Sequence, residues 1–214
     1  MTHHTLGKKT YELLLDNILT GKYKPGQRLT YELVTTDLGV SLTPMKEAFL
    51  RLEEQGLLVT VARRGTFVRQ FLKKDIEELY QIREMMEALA VRLACRKAAD
   101  KDLKELRRIH AKLSAAVERG DMKNCVRTDI QFHEEIARMS GNNRLLHTLK
   151  HSLFTNLFCI SSRGEQFVIR GGDIIVNHQD LIGLIELRDE DAAERSMRQQ
   201  IRQGGEWILC SLKD

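Results

Sequence analysis

Apolar residues recur at helical spacing over residues 8 to 20, at Tyr11, Leu14, Leu15, Ile18 and Leu19, which predicts an amphipathic helix. Gly21, Pro25 and Gly26 in "GKYKPGQRL" break that pattern and predict a loop. Thr30 is placed to N-cap a short helix through Tyr31, Leu33, Val34 and Leu38, closed by Gly39. Ser41 or Thr43 caps a third helix, with Pro44 in its first turn, where a missing N–H costs nothing. That helix puts Met45, Ala48, Phe49 and Leu52 on one face and ends near Gly56. The pattern then changes. "LLVTVA" and "TFVRQF" are rich in β-formers and are joined by Arg63, Arg64 and Gly65, which predicts a hairpin. Helix, helix, turn, helix and hairpin in this order form a winged helix-turn-helix layout.

From Asp75 onward the pattern is helical almost throughout. "KKDIEELYQIREMMEALAVRLACRKA" is a long amphipathic run with Asp75 as its expected N-cap. "DKDLKELRRIHAKLSAAVERG" stops at Gly120, and "MKNCVRTDIQFHEEIARMSG" stops at Gly141. "NRLLHTLKHSLFTNLFCISSR" runs to Gly164, followed by a helix near 166–187 and a last one from Asp189 to Leu212. "FLKKD" joins the two halves, so residues 1–72 are expected to form one domain and residues 75–214 another. The predicted fold class is mainly α: a winged helix-turn-helix followed by an all-helical antiparallel bundle.

Composition agrees with this reading. The 214 residues are 42% hydrophobic and 30% charged with only two prolines, enough for a core and poor in helix breakers. No apolar run approaches the roughly 20 residues needed to span a bilayer, so no membrane role is expected. The first 21 residues carry Lys8, Lys9, Glu12 and Asp16 instead of a signal-peptide core. The four cysteines show no C-x-x-C pair and read as buried residues or free thiols of a cytoplasmic protein. Charge changes the picture further. Residues 1–74 carry 12 Lys and Arg against 7 Asp and Glu, whereas the remainder carries 22 against 23. A basic first third suggests an anionic partner for that third.

The stretch "PGQRLTYELVTTDLGVSLTPMKEAFLRLEEQGLLVTVARRGTFV" resembles the winged helix-turn-helix of the GntR family of bacterial transcription regulators. The resemblance implies binding to double-stranded operator DNA. A recognition helix in the major groove would bring its N-terminal residues to base edges, with phosphate contacts fixing register. The candidate DNA-binding residues are Ser41, Thr43, Lys46 and Arg51 on that helix, and Arg63, Arg64 and Gly65 at the hairpin tip. The family's usual "SRTPVREAL" stands here as "SLTPMKEAF". Leu42 and Lys46 thus replace two arginines, and Tyr31 a glutamate. Lysine acts as a point charge where arginine pairs with guanine bidentately, so the family's operator preference does not carry over.

"TDIQFH" sets Asp129 and His133 at i and i+4 on a helix. By itself that spacing suits a helical ion pair as well as two metal ligands. The segments "QIREMMEALAVRLA", "TDIQFHEEIARMSGN" and "NHQDLIGLIELRDEDAAERSMRQQI" resemble the FCD effector domain of the FadR branch of that family. The resemblance implies a divalent ion, zinc or nickel, held by an Asp and three His. The first three positions match Asp129, His133 and His178, and the fourth falls on Gln200. A Gln amide oxygen is a weaker and harder ligand than imidazole. Two alternatives follow: an ion with water or ligand completing its shell, or a cavity that has lost its ion and kept an organic effector.

Arg83 stands at a position where the family often places an inward arginine. A buried guanidinium needs an anion, either a carboxylate ligand or a protein acid such as Glu84 or Glu87. The candidate effector-binding residues are therefore Arg83, Asp129, His133, Asn156, His178 and Gln200. His147 and His151 share the i, i+4 spacing but read as solvent-exposed histidines.

The expected function is a homodimeric DNA-binding regulator whose operator affinity responds to a small organic acid. Two-fold symmetry would match two half-sites. The alternative is a metal-dependent hydrolytic enzyme in which Asp129, His133 and His178 hold an ion that activates water. No separate nucleophile or acid–base pair is visible for it.

Overall fold

The computed structural model describes residues 3–161 and 171–211. The chain divides into two compact units, residues 1–71 and 72–214. In the first, α1 (His3–Leu19), α2 (Tyr31–Leu38) and α3 (Leu42–Glu54) accompany β1 (Arg28–Leu29), β2 (Leu58–Val61) and β3 (Gly65–Val68). Tyr11, Leu14, Leu15 and Ile18 of α1 are buried on the side packed against α3, which buries Met45, Ala48, Phe49 and Leu52. Fully burying such a side chain contributes about 1.5–3 kcal/mol.

The local signals act as expected at α2. Thr30 accepts a hydrogen bond from the Leu33 amide at 3.1 Å, and Gly39 ends the helix with φ +63°. Other boundaries differ. Helix α1 begins at His3 rather than near residue 8. Ser41 is the N-cap of α3, but its side chain makes no capping bond. The sheet has three antiparallel strands in the order β1-β3-β2, and sequence patterning did not reveal β1, two residues being too few to show a period. The hairpin register pairs Val61 with Gly65 and Thr60 with Thr66.

The second unit contains α4 (Lys73–Lys97), α5 (Asp100–Glu118), α6 (Met122–Met139), α7 (Asn143–Ser161), α8 (Gly171–Glu186) and α9 (Glu190–Ser211). The expected starts near residue 166 for α8 and the end at Leu212 for α9 lie outside the described residues. Helix α9 packs along α4, α5 against α6 and α8, and α6 against α7 and α4. Phe132, Leu106, Leu113, Ile136, Leu149, Leu153 and Leu181 are fully buried. Asp75 is not the N-cap of α4. Leu72 occupies that position, and Asp75, three residues on, accepts a hydrogen bond from the Leu72 amide at 2.8 Å. That bond still satisfies a free N–H at the helix start, from the other side of the turn.

Candidate DNA-reading surface and effector cavity

In the first unit the buried face of α3 leaves Ser41, Leu42, Thr43, Lys46 and Leu50 exposed. The Ser41 hydroxyl makes no capping bond, and the helix start offers backbone N–H groups beside it, a combination suited to phosphate. Lys46 forms no ion pair among the described residues. Arg51 is placed differently from the rest of the set. Its guanidinium lies 3.9 Å over the Tyr11 ring, and Tyr11 itself donates to Gln55 Oε1 at 2.8 Å. The side chain is thus turned toward α1.

At the hairpin tip Arg63 adopts φ +61° and Arg64 donates its amide to the Val61 carbonyl at 3.0 Å. Both arginines are exposed. Gly65 has φ +104°, and a Cβ there would stand 2.9 Å from Arg28 Nε. The positive φ calls for glycine, while the arginine, a flexible side chain, could move aside from a Cβ. Arg28 therefore adds a third exposed guanidinium beside the wing. Sequence reading passed over it because its place depends on β1 pairing with β3, Arg28 facing Phe67 across the ladder.

In the second unit four helices bring the predicted site together. Helix α4 supplies Arg83 and Glu87, α6 supplies Asp129 and His133, α8 supplies His178, and α9 supplies Gln200. Arg83 and Glu87 are 2% and 1% exposed. Asp129, His133 and His178 are also buried, and their ligand atoms lie within 4.8 Å of one another. His178 Nε2 is 3.5 Å and His133 Nε2 3.9 Å from Asp129 Oδ1. The His178 ring stacks on Phe132, centroids 3.9 Å apart and planes 7° from parallel, which fixes its tilt.

The protein acid that answers Arg83 is Glu87: Arg83 Nε donates to Glu87 Oε1 at 2.8 Å. The other carboxylate oxygen, Oε2, lies 2.5 Å from His133 Nδ1. Sequence reading had Glu87 only as one possible partner of Arg83. Its link to His133 carried no linear signal, since it depends on how α4 meets α6.

Electrostatics separate the two histidines. Burial pushes His178 well below its ordinary value, and the neighbouring His133 and His110 add to this, so the ring is neutral. Burial also disfavours charge on His133, but the Glu87 carboxylate and then Asp129 reverse it and raise its pKa. Asp129 is raised by burial, offset in part by His133 and Arg83. Glu87 is lowered despite its burial because Arg83 and His133 outweigh it.

Gln200 is held by its nitrogen. Nε2 donates to the Asn177 carbonyl at 3.0 Å and to Ser196 Oγ at 3.2 Å. The backbone carbonyl can only accept, so the amide orientation is set and the oxygen is the group left to offer. Tyr80, Arg83, Asp129, His133, His178 and Gln200 belong to the lining of one cavity of about 80 Å³. In the middle of α9 a Cβ at Gly205 would stand 2.9 Å from the Tyr80 ring, so glycine lets that ring pack at the cavity wall. The Asn156 side chain lies outside the described residues. His147 and His151 are exposed on α7, away from this group. Cys95 and Cys125 are buried free thiols and Cys210 is exposed. Among the described residues no helix is long and apolar enough to cross a membrane.

Comparison with known proteins fits this arrangement. Residues 78–203 match the FCD domain, and residues 6–68 match the bacterial regulatory proteins of the gntR family. The chain is 29% identical over 188 residues to the uncharacterized HTH-type transcriptional regulator YdhC of Bacillus subtilis, covering 86% of this chain and 83% of that one. It is 32% identical over 141 residues to the HTH-type transcriptional regulator McbR of Escherichia coli, covering 66% and 64%. The solved structure of E. coli McbR/YncC superposes with a TM-score of 0.80 at 24% identity, over 97% of this chain and 98% of that one. The matched families and relatives are regulators and not enzymes, and the hydrolase alternative finds no support among them. With the FCD match spanning more than half of its length behind a gntR-type winged helix, the chain belongs to the GntR family of bacterial DNA-binding transcriptional regulators.

Proposed function

We propose that this regulator binds a two-fold operator as a homodimer and that a small carboxylate in the second unit's cavity, together with a divalent ion, modulates its affinity for DNA. The observation that carries the reading is the convergence of Asp129, His133 and His178 on one buried point at the wall of the cavity. A neutral His178 whose Nε2 faces a carboxylate suits a divalent cation, and two imidazoles with one carboxylate suit zinc or nickel. Gln200 lines the same cavity and has its amide oxygen to offer. A bound ion would supply a cationic centre for an acid's carboxylate. The residues of the chain do the rest: they hold the ion, exclude water, and shape a space that admits a compact acid.

On the DNA side, Ser41, Thr43 and Lys46 at the start of α3 and Arg63, Arg64 and Arg28 around the wing are exposed together on the first unit, and the four cations form no ion pair among the described residues. These are the groups proposed to meet DNA. Arg51 contributes through its stack on Tyr11 instead of by direct reading.

The test is fluorescence anisotropy with DNA from upstream of the protein's own gene, titrated with and without zinc and a panel of small carboxylates. The reading requires binding that falls steeply with salt and at least one acid that shifts the affinity, because a ligand moves an equilibrium only through different affinities for its two states. Metal analysis of protein prepared without chelator accompanies it. Binding that no acid changes, in protein with less than about a tenth of an equivalent of metal and no gain on adding zinc, would sink the effector reading.

A further inference from the structure

We propose that Glu87 is a positioning residue for the ion site: clamped by Arg83, it holds His133 Nδ1 so that Nε2 faces Asp129 and His178. This rests on the proposed ion site and adds a residue and a role to it.

Three observations converge on Glu87. It is 1% exposed, in a bundle core where a lone carboxylate would be costly. One oxygen is fixed by Arg83 Nε at 2.8 Å, and Arg83, 2% exposed, has its guanidinium 4.8 Å over the Tyr80 ring. The other oxygen stands 2.5 Å from His133 Nδ1. In its neutral form an imidazole with a carboxylate at Nδ1 carries its proton there and leaves Nε2 bare, and Nε2 is the nitrogen turned toward Asp129 Oδ1 at 3.9 Å. A carboxylate behind a metal-binding histidine fixes both tautomer and ring orientation and raises the ring's basicity toward a metal. His178 has no such support. Its Nδ1 is buried with no hydrogen-bond partner and no ion pair among the described residues, whereas His133 Nδ1 has the Glu87 carboxylate as an ion-pair partner by distance, though not at hydrogen-bonding angles; the His178 ring is set by the Phe132 stack. The two histidines are thus aimed by different means, one by charge and one by packing.

This arrangement gives Arg83 a task besides its place in the cavity lining. Its Nε is committed to Glu87, and through that bond Arg83 also acts on the ion site.

The experiment has two arms, both on the full chain. In the first, Zn²⁺ affinity is measured by competition with a chromophoric chelator for the native protein and for Glu87→Gln. A loss of about 10- to 100-fold is expected for the variant. Equal affinities, in a variant that retains native helicity, would overturn the proposal. In the second, long-range ¹H–¹⁵N correlation spectra of the metal-free native protein report the protonation of His133 at a pH where its ring is neutral. The expected signature is a proton on Nδ1 and a bare Nε2; a proton on Nε2 overturns the proposal. This arm needs no variant, so it decides the matter if Glu87→Gln fails to fold. It also decides it if the native protein takes up no zinc, in which case the ion reading fails while the Glu87–His133 relation stands or falls separately.

Discussion

Lys46 and Arg64 are the single charges proposed to carry the DNA interface. Both are exposed, and neither is ion-paired among the described residues, so each can meet a phosphate without first breaking a bond inside the protein. Lys46→Ala and Arg64→Ala should each lower the slope of log affinity against log salt by about 1, with helical content unchanged. An unaltered slope in anisotropy titrations removes that residue from the interface. Gln200 gives a second test at this scale. Its nitrogen is tied to the Asn177 carbonyl and Ser196, so it offers only a hard oxygen where the family commonly places an imidazole. Gln200→His should raise Zn²⁺ affinity on the order of tenfold in a chelator competition. A fall or no change would mean that position 200 does not reach the ion.

Among elements, the seam between α4 and α9 is held by charge on its flanks. Glu84 receives Arg202 Nη2 at 2.6 Å and Arg198 Nη1 at 3.2 Å, while Arg92 and Arg96 engage Glu190 and Arg92 also reaches Glu194. Hydrogen bonds from Arg202 foremost hold the Glu84 carboxyl below its ordinary value of 4.5, against the opposing effect of burial. A folded-state pKa below the unfolded one means that the unfolded chain takes up the proton first. The stabilisation is therefore present above pH 4.5 and is lost as pH falls below it toward the folded value. Glu84→Gln should lower stability at pH 7 by about 1 kcal/mol in urea melts, and the difference from the native protein should shrink below pH 4. A difference that persists at low pH would assign the loss to packing instead.

The element scale also shows how far patterning reaches. Thr30, Gly39, Gly120 and Gly141 mark helix ends by local chemistry, and the helices follow their signals closely. Strand β1 and the N-cap of α4 did not, because a two-residue strand exists only through its partner and a cap depends on where the preceding chain turns.

For the whole molecule, α4 carries a stripe of Ile82, Met85 and Leu89 that is 56%, 59% and 45% exposed. Three large apolar residues at helical spacing on one solvent face are the seam we propose for the second copy in the proposed homodimer. Leu89→Glu should halve the mass seen by light scattering. It should also weaken operator binding by on the order of 100-fold, since the second half-site is then no longer engaged through the same molecule. A variant that remains dimeric would place the seam elsewhere.

By itself the sequence determined the class of molecule. Helical periodicity, the hairpin and the ordered motifs from "PGQRL" to "RRGTFV" are local properties, and they identify a basic winged helix followed by a helical bundle. The i, i+4 pairs Arg83/Glu87 and Asp129/His133 were likewise legible as pairs, since one helix turn suffices to place them on one face. Only the tertiary structure decided what the pairs do. The packing of α4 against α6 sets Glu87 behind His133, and the packing of α8 and α9 brings in His178 and turns the Gln200 oxygen free. Those relations span 23 to 49 residues of chain and arise from how side chains fill a common core. No spacing along the sequence encodes that geometry.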